Sequence, residues 1–182
     1  MTEKGTEYQL VQAILQGEKE RYAEIVERYQ QVVANLCYKL VGDKVDCDEI
    51  VQQVFVELYT SLPRFRFESK LSTFIYKITV NVVAKNYNKA NRIVSFDQSA
   101  FENQPGDLNE EEQTIKEERR IQLRKAIGTL HQEQRTALVL YTYEDFSYQE
   151  IANVMQVSLS KVESLIFRAK KNLKKILGQE YK

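Results

Sequence analysis

Between Leu62 and Tyr87 the chain interleaves cations with rings: Arg64, Arg66, Lys70, Lys77 and Lys85 share the stretch with Phe65, Phe67, Phe74, Tyr76 and Tyr87. This mixture suits single-stranded nucleic acid, because cations follow the phosphate backbone while flat rings or apolar pockets receive unstacked bases. Phe65 and Phe74 fall on the apolar side of the pattern and read as core. Phe67 and its polar neighbours Glu68, Ser69 and Ser72 fall in a connection, where exposure is expected.

A second constellation runs from Ser147 to Lys175, where YQEIANVMQVSLSKVESLIFRAKKNLKK follows the serine. It reads as a helix, a tight turn and a second, basic helix. Ser147 and Glu150 have capping-box spacing, in which each side chain satisfies a backbone donor of the other residue. Ile151, Ala152 and Met155 face inward, Gln156 and Val157 form the turn, and Val162, Leu165, Ile166 and Ala169 repeat at helical spacing. Opposite that stripe lie Ser160, Lys161, Ser164, Arg168 and Lys171, groups that reach phosphates and base edges. Such a helix-turn-helix would name the major groove of duplex DNA as its partner. The same residues also describe an ordinary helical hairpin with a solvated basic face, so the remainder of the chain has to decide.

The elements that must carry these groups are helical throughout. Tyr8, Val11, Ile14 and Leu15 predict a helix over 7–16, interrupted by Gly17. A longer helix over 18–41 presents Tyr22, Ile25, Val26, Tyr29, Val32, Val33, Leu36, Cys37 and Leu40 at three- and four-residue intervals. Gly42 and Asp43 close it. Asp46 and Glu49 suit a cap for a third helix with Ile50, Val51, Val54, Phe55, Leu58 and Leu62 inward, stopped by Pro63. A fourth helix over about 70–89 turns Leu71, Phe74, Ile75, Ile78 and Val82 inward. Residues 92–109, with the Pro105-Gly106 breaker, are polar and acidic and read as a flexible linker. Helical pattern resumes at Glu110 with Ile115, Leu123 and Ile127 inward and Gly128 at its close, then over 131–143 with Ala137, Leu138 and Tyr141 inward. No strand alternation occurs. The expected fold is all-α: two small helical domains, residues 1–91 and 110–182, on a flexible acidic linker, the second ending in the helix-turn-helix.

Total charge is uninformative, since 26 basic residues balance 26 acidic ones. Its distribution is not. Net charge is minus four over Asp43 to Glu57, plus six over Ser61 to Arg92, minus six over Phe101 to Glu118 and plus five over Lys161 to Lys175. Two basic segments separated by an acidic one imply two phosphate-facing surfaces and a tether that avoids them. Two cysteines, Cys37 and Cys47, and one histidine, His131, have no metal-ligand spacing, so neither a metal nor a cofactor is expected. Cys37 lies on an apolar stripe. Cys47 lies near a helix start, where a lowered thiol pKa is one reading and a spectator role the other. No apolar run approaches the roughly 20 residues of a bilayer span and the start lacks a signal-peptide core, so a cytoplasmic location is expected. Without a nucleophile motif or paired carboxylates, no catalytic residue is assigned.

With these residues in place, the run DCDEIVQQVFVELYTSLPRFRFESKLSTFIYKITVNVVAKNY resembles the second conserved domain of bacterial extracytoplasmic-function sigma factors of the sigma-70 family. LHQEQRTALVLYTYEDFSYQEIANVMQVSLSKVESLIFRAKKNL resembles their fourth, and the two runs cover about 85 of 182 residues. The resemblance implies a promoter-specificity subunit that binds core RNA polymerase and directs transcription initiation. It implies docking on the polymerase clamp helices through Asp48, Glu49, Gln52, Gln53 and Glu57, which would otherwise read as a solvated face. It assigns the minus 10 element to Arg66, Phe67, Glu68, Ser69, Lys70, Ser72, Asn81, Lys85 and Asn86, with a flipped base captured by the loop from Phe65 to Ser72, and Arg64 and Lys77 join them as cations of the same basic and aromatic stretch. It assigns the minus 35 duplex to Ser160, Lys161, Glu163, Ser164 and Arg168, with the domain resting on the polymerase flap, and Lys171 joins them from the basic helix face.

The chain departs from the family where glycine, threonine, valine, a basic residue, serine and arginine are usual, having Ser160, Lys161, Val162, Glu163, Ser164 and Leu165. Glu163 either caps the helix through Ser160, the favoured reading, or accepts from a cytosine amino group. Gln156 replaces a frequent turn glycine, so either a left-handed backbone there costs on the order of 1 kcal/mol or the turn differs. The acidic linker either occupies the polymerase RNA channel or merely tethers. An anti-sigma partner, often membrane-bound, is implied as well. A stand-alone helix-turn-helix regulator is the alternative, and it leaves the basic aromatic loop and the acidic helix unexplained.

Overall fold

The computed structural model describes the backbone of residues 3–41, 47–93 and 121–180, and side-chain surroundings for 6–41, 47–87 and 121–178. Gly42, Asp43, Asp46, the linker over 94–109, Glu110 and Ile115 lie outside the described residues. Every described regular element is helical. The chain divides into two compact units, with the main break after Ile93.

In the first unit, α1 (Glu3–Leu15) buries Leu10, Val11, Ala13 and Ile14. Tyr8 and Leu15, expected inward, are instead 50% and 41% exposed, because the buried stripe is centred two residues after Tyr8. Gly17 ends the helix at φ +116°, and Glu18 N–H then reaches the Ala13 carbonyl at 3.0 Å while Gly17 N–H reaches Ile14 at 3.2 Å. This Schellman closure needs the left-handed residue that glycine supplies without a Cβ penalty. It also commits residue 18 to the turn. The next segment therefore begins as a 3-10 turn, Lys19–Arg21, and α2 proper runs Tyr22–Val41.

Ile25, Tyr29, Val33, Leu36, Cys37 and Leu40 of α2 pack against α3 (Cys47–Ser61) and α4 (Leu71–Ile93), and these two also pack on each other. Each fully buried Ile or Leu side chain contributes roughly 1.5–3 kcal/mol, so this three-helix core carries the unit. Tyr22 is part-buried and donates its hydroxyl to the Phe55 carbonyl at 2.6 Å, joining α2 to α3. Burial pushes its phenol pKa upward. Tyr29 hydroxyl donates to Glu7, fastening α1 to α2. Pro63 sits in a 3-10 turn, Leu62–Arg64, and Phe65 leaves it in an extended conformation.

α4 is buried on more than one face: Leu71, Ile75, Tyr76, Ile78, Thr79, Val80, Val82 and Val83 are all below 10% exposure. Its helical backbone continues to Ile93, past the expected end near residue 89, since neither Gly nor Pro occurs before Pro105.

In the second unit, a helix whose described part is 121–128 (α5) ends at Gly128 and is followed by α6 (Gln132–Tyr143), α7 (Tyr148–Met155) and α8 (Leu159–Glu180). Ala126 and Ile127 are buried, whereas Leu123 is 36% exposed rather than inward. α6 is buried at six consecutive positions, Arg135 to Leu140, which is why a single stripe misplaces Tyr141, 37% exposed. Arg135 closes the α5–α6 turn by donating to the carbonyls of Gly128 at 2.7 Å and Leu130 at 3.1 Å. Leu130, Leu138 and Ala169 form a core cluster against which Leu173 packs, bringing α8 onto α6.

Candidate nucleic-acid interface

The α7–α8 corner is built by three local devices. Ser147 N–H donates to Glu150 Oε2 at 2.9 Å and Glu150 N–H to Ser147 Oγ at 3.3 Å, the reciprocal capping box expected from the sequence. At the far end Gln156 adopts φ +55° and Val157 N–H reaches back to the Ala152 carbonyl at 3.1 Å, so a glutamine occupies the left-handed position of a Schellman turn. The departure from glycine is thus a strained residue and not a different turn. Ser158 then caps α8, its Oγ accepting from Lys161 N–H at 3.3 Å and lying 3.2 Å from Ser160 Oγ.

That cap corrects one expectation. Ser160 already stands inside α8, so Glu163 is not its capping partner, and among the described residues Glu163 makes no hydrogen bond or ion pair. Leu165 is 6% exposed, a core residue at the position where the resemblance leads one to expect arginine. Ser160, Lys161, Glu163, Ser164, Arg168 and Lys171 are all exposed along α8. Lys161 is tied to α6 through an ion pair with Glu133, Nζ to Oε1 2.7 Å. Lys170 lies 4.8 Å over the Tyr141 ring, which in turn meets Tyr148 edge-on at 5.3 Å. Phe167, 68% exposed on the same helix, stands between the inward Ile166 and Ala169, off the apolar stripe.

In the first unit, Asp48, Glu49, Gln52 and Gln53 are exposed along α3 and Glu57 is half-buried. Two side chains of α4 meet this row. Lys85 Nζ lies 3.1 and 3.3 Å from the Glu57 oxygens, and Asn86 Nδ2 donates to Gln53 Oε1 at 2.8 Å and to the Val82 carbonyl at 3.0 Å. Glu49, Gln52, Gln53, Val56, Lys85 and Asn86 line one groove, with Val56 64% exposed. Residues assigned separately to a protein partner and to DNA therefore share a surface.

The connection between α3 and α4 exposes Arg64, Arg66, Glu68, Ser69 and Lys70, while Ser72, Lys77 and Asn81 are half-buried. Ser69 Oγ approaches the Lys70 carbonyl at 3.4 Å, a marginal contact. Phe67 is half-buried and adopts φ +58°, an outlier for an aromatic residue. Its ring centroid is 4.5 Å from Phe65 and 4.6 Å from Tyr8, and Phe65 stacks on Phe74 at 4.9 Å. Phe65 and Tyr76 are 8% and 9% exposed and belong to the core, which leaves Phe67 as the partly exposed ring of the connection. Tyr8 escaped sequence reasoning, because a tyrosine in a helical stripe carries no signal of contact with a loop about 60 residues away.

Among the described residues no group of three potential metal ligands occurs, and no helix is long and apolar enough to cross a membrane. The chain matches the family model described as Sigma-70 region 2 over residues 25–93 and that described as Sigma-70, region 4 over residues 120–173. It is 31% identical over 179 residues to RNA polymerase sigma-H factor of Pseudomonas aeruginosa, covering 93% of this chain and 92% of the relative. It is 34% identical over 181 residues to the ECF RNA polymerase sigma-E factor of Haemophilus influenzae, covering 93% and 94%. Its fold is similar to that of the sigma factor RpoE in complex with the anti-sigma factor NepR from Bartonella quintana, with TM-score 0.66, 20% identity and coverage of 86% and 96%.

Proposed function

The chain belongs to the extracytoplasmic-function sigma factors of the sigma-70 family, and from that membership we propose a two-point promoter contact made in complex with core RNA polymerase. Residues up to Ile93, where α4 ends two residues beyond the boundary expected from the sequence, act as the region 2 domain, 110–182 as the region 4 domain, and the segment between them as the linker. The α3 row from Asp48 to Glu57 meets the polymerase clamp. The loop after α3 and the facing side of α4 open the minus 10 element, with Phe67 receiving an unstacked base and Arg64, Arg66 and Lys70 following the phosphates. The exposed side of α8 reads the minus 35 duplex while the domain rests on the flap. A cytoplasmic chain and an anti-sigma partner fit this reading, as the Bartonella quintana protein is bound by one.

The observation that carries the proposal is the loop: exposed arginines flank a half-exposed ring on a strained backbone, beside a helix whose outer face is acidic and amide-rich. A reader of duplex DNA alone has no use for that combination. Ring stacking contributes about 1–3 kcal/mol per base by alanine substitution, enough for one captured base to hold a strand open locally.

Co-purification with core polymerase and transcription from a supercoiled promoter library test the proposal. The full chain is expected to bind core and select a subset of promoters. Operator binding without any affinity for core would establish the stand-alone regulator instead. Permanganate footprinting resolves the parts: Phe67→Ala is expected to impair opening and spare duplex binding, and normal opening would refute the base-capturing role. For the linker, removal of Asp107 to Glu112 is expected to change abortive products if it occupies the RNA channel.

A further inference from the structure

Resting on the promoter reading above, we propose that α1 is part of the base-capture site, with Tyr8 as a positioning residue that holds Phe67 in its left-handed conformation. The region 2 match begins at residue 25, so α1 precedes the matched segment altogether. Nothing in the assigned promoter contacts uses it.

Phe67 is the one aromatic residue with positive φ among the described residues, at +58°. A bulky side chain stays in that region only where its surroundings over-determine it. Two rings do so here. Phe65, 8% exposed and stacked on Phe74 at 4.9 Å, forms a fixed inner wall at 4.5 Å from Phe67. Tyr8 forms the outer wall at 4.6 Å, tilted by 56°. Tyr8 is delivered by a rigid element, since Leu10 and Val11 beside it are 2% and 0% exposed and Glu7 accepts from the buried Tyr29. Tyr8 remains half-exposed, and its ring meets the loop at Phe67. Without it, Phe67 keeps one wall and its backbone is released toward the ordinary φ range.

Holoenzyme reconstituted with core polymerase, and a fork-junction DNA whose single-stranded overhang was selected by the wild-type holoenzyme from a random pool, provide the test. Aromatic pairing of this kind predicts that Tyr8→Leu weakens fork-junction binding about three- to ten-fold. Binding to the duplex portion alone stays unchanged. Tyr8→Phe, which keeps the ring, restores wild-type binding, and Tyr8→Met, a second variant that keeps apolar volume on α1, behaves like Tyr8→Leu. A positioning role makes one further demand: in a Phe67→Leu background, Tyr8→Leu adds no further loss. Wild-type fork-junction affinity in both Tyr8→Leu and Tyr8→Met overturns the proposal. So do losses that multiply in the double variant, because they mean that Tyr8 stacks on a base independently. A wild-type holoenzyme with no preference for fork-junction over duplex DNA would overturn the promoter reading first, and is seen without any variant.

Discussion

Replacing Glu133 with glutamine is expected to tighten DNA binding while loosening the fold, and the opposite signs make the experiment decisive. Glu133 holds Lys161 at 2.7 Å with the two side chains 45% and 44% exposed, so the pair is a surface one. Two unit charges about 4 Å apart in water attract by about 1 kcal/mol, and exposed pairs measure roughly 0.2–1 kcal/mol. For Lys161 to neutralise a phosphate, that attraction has to be given up, and the carboxylate also repels the incoming phosphate. Removing the charge should therefore raise duplex affinity by up to about five-fold at low salt. It should steepen the plot of log affinity against log salt by up to about 0.9, the contribution of one phosphate contact. Glu133 also stands in the first turn of α6, where a carboxylate is favoured by the helix dipole by roughly 0.3–1 kcal/mol. Loss of that term and of the pair should lower stability by about 1 kcal/mol.

The assay is fluorescence anisotropy of holoenzyme on a duplex selected by the wild-type protein, from 50 to 200 mM salt as in usual practice, beside urea denaturation of the free chain. Lys161→Ala supplies the control: it loses the same ion pair, yet should weaken binding and flatten the salt slope. If Glu133→Gln binds as wild type, or more weakly, throughout the salt range, Lys161 does not reach a phosphate and the assignment of α8 to the duplex loses its best-defined cation.

Ser147→Ala removes one acceptor and one donor of the capping box and should cost about 1 kcal/mol, read by urea denaturation, with Glu150→Ala costing little more on top because the two act as one unit. Arg135→Met keeps the volume but leaves the Gly128 and Leu130 carbonyls without their donor. A buried group left unsatisfied costs roughly 1–3 kcal/mol, and of the two bonds only that to Leu130 is fully buried, so by calorimetry the second unit should melt below that of the wild type. The Cys37 thiol is pushed up to about 12 from 9.0, chiefly by burial and secondarily by Cys47. A raised pKa means the folded state holds the proton more tightly. The stabilisation is therefore complete below pH 9 and lost as pH rises toward 12, so Cys37→Ala should lose less stability than wild type between pH 9 and 11.

Much of this architecture is legible in residue patterns because single-face helices announce themselves. α2 buries Ile25, Tyr29, Val33, Leu36, Cys37 and Leu40 of the stripe that spacing selects and leaves Tyr22, Val26 and Val32 half-buried. The α7–α8 corner buries all of its selected residues but Met155, and Ser147 with Glu150 fixes the start of α7. α4 and α6 are harder, since helices buried on several sides have no stripe to read: Tyr141 is exposed where spacing predicts it inward, and Tyr76, outside the predicted stripe, is buried. Gln156 shows a subtler limit: a strained left-handed turn and a different turn are equally compatible with its type, and only the backbone separates them. Cap assignment fails for a similar reason. Both Ser158 and Ser160 precede apolar periodicity, and a shift of two residues decides whether Glu163 is a cap or an exposed carboxylate. Contacts between distant segments, Tyr8 on Phe67 and Lys161 on Glu133, have no local signature at all.

The Lys85–Glu57 and Asn86–Gln53 pairs change how substitutions on either side should be interpreted. Under the proposed function, Glu57 and Gln53 face polymerase and Lys85 and Asn86 face the upstream edge of the minus 10 element, yet each pair occupies one groove. A Glu57→Ala protein would lose a contact to polymerase and at the same time release Lys85, 64% exposed, toward any phosphate nearby. The exposed pair contributes at most about 1 kcal/mol, so the release is modest, but it is opposite in sign to the loss of docking. A defect in transcription would thus understate the docking contribution of Glu57, and a defect in Lys85→Ala would mix lost DNA contact with an unpaired Glu57. Only the double substitution separates the two, because in it neither group gains or loses the other. The same logic applies to Asn86 and Gln53 with hydrogen bonds in place of charges, which makes the junction of α3 and α4 a single unit that docking and strand opening have to share.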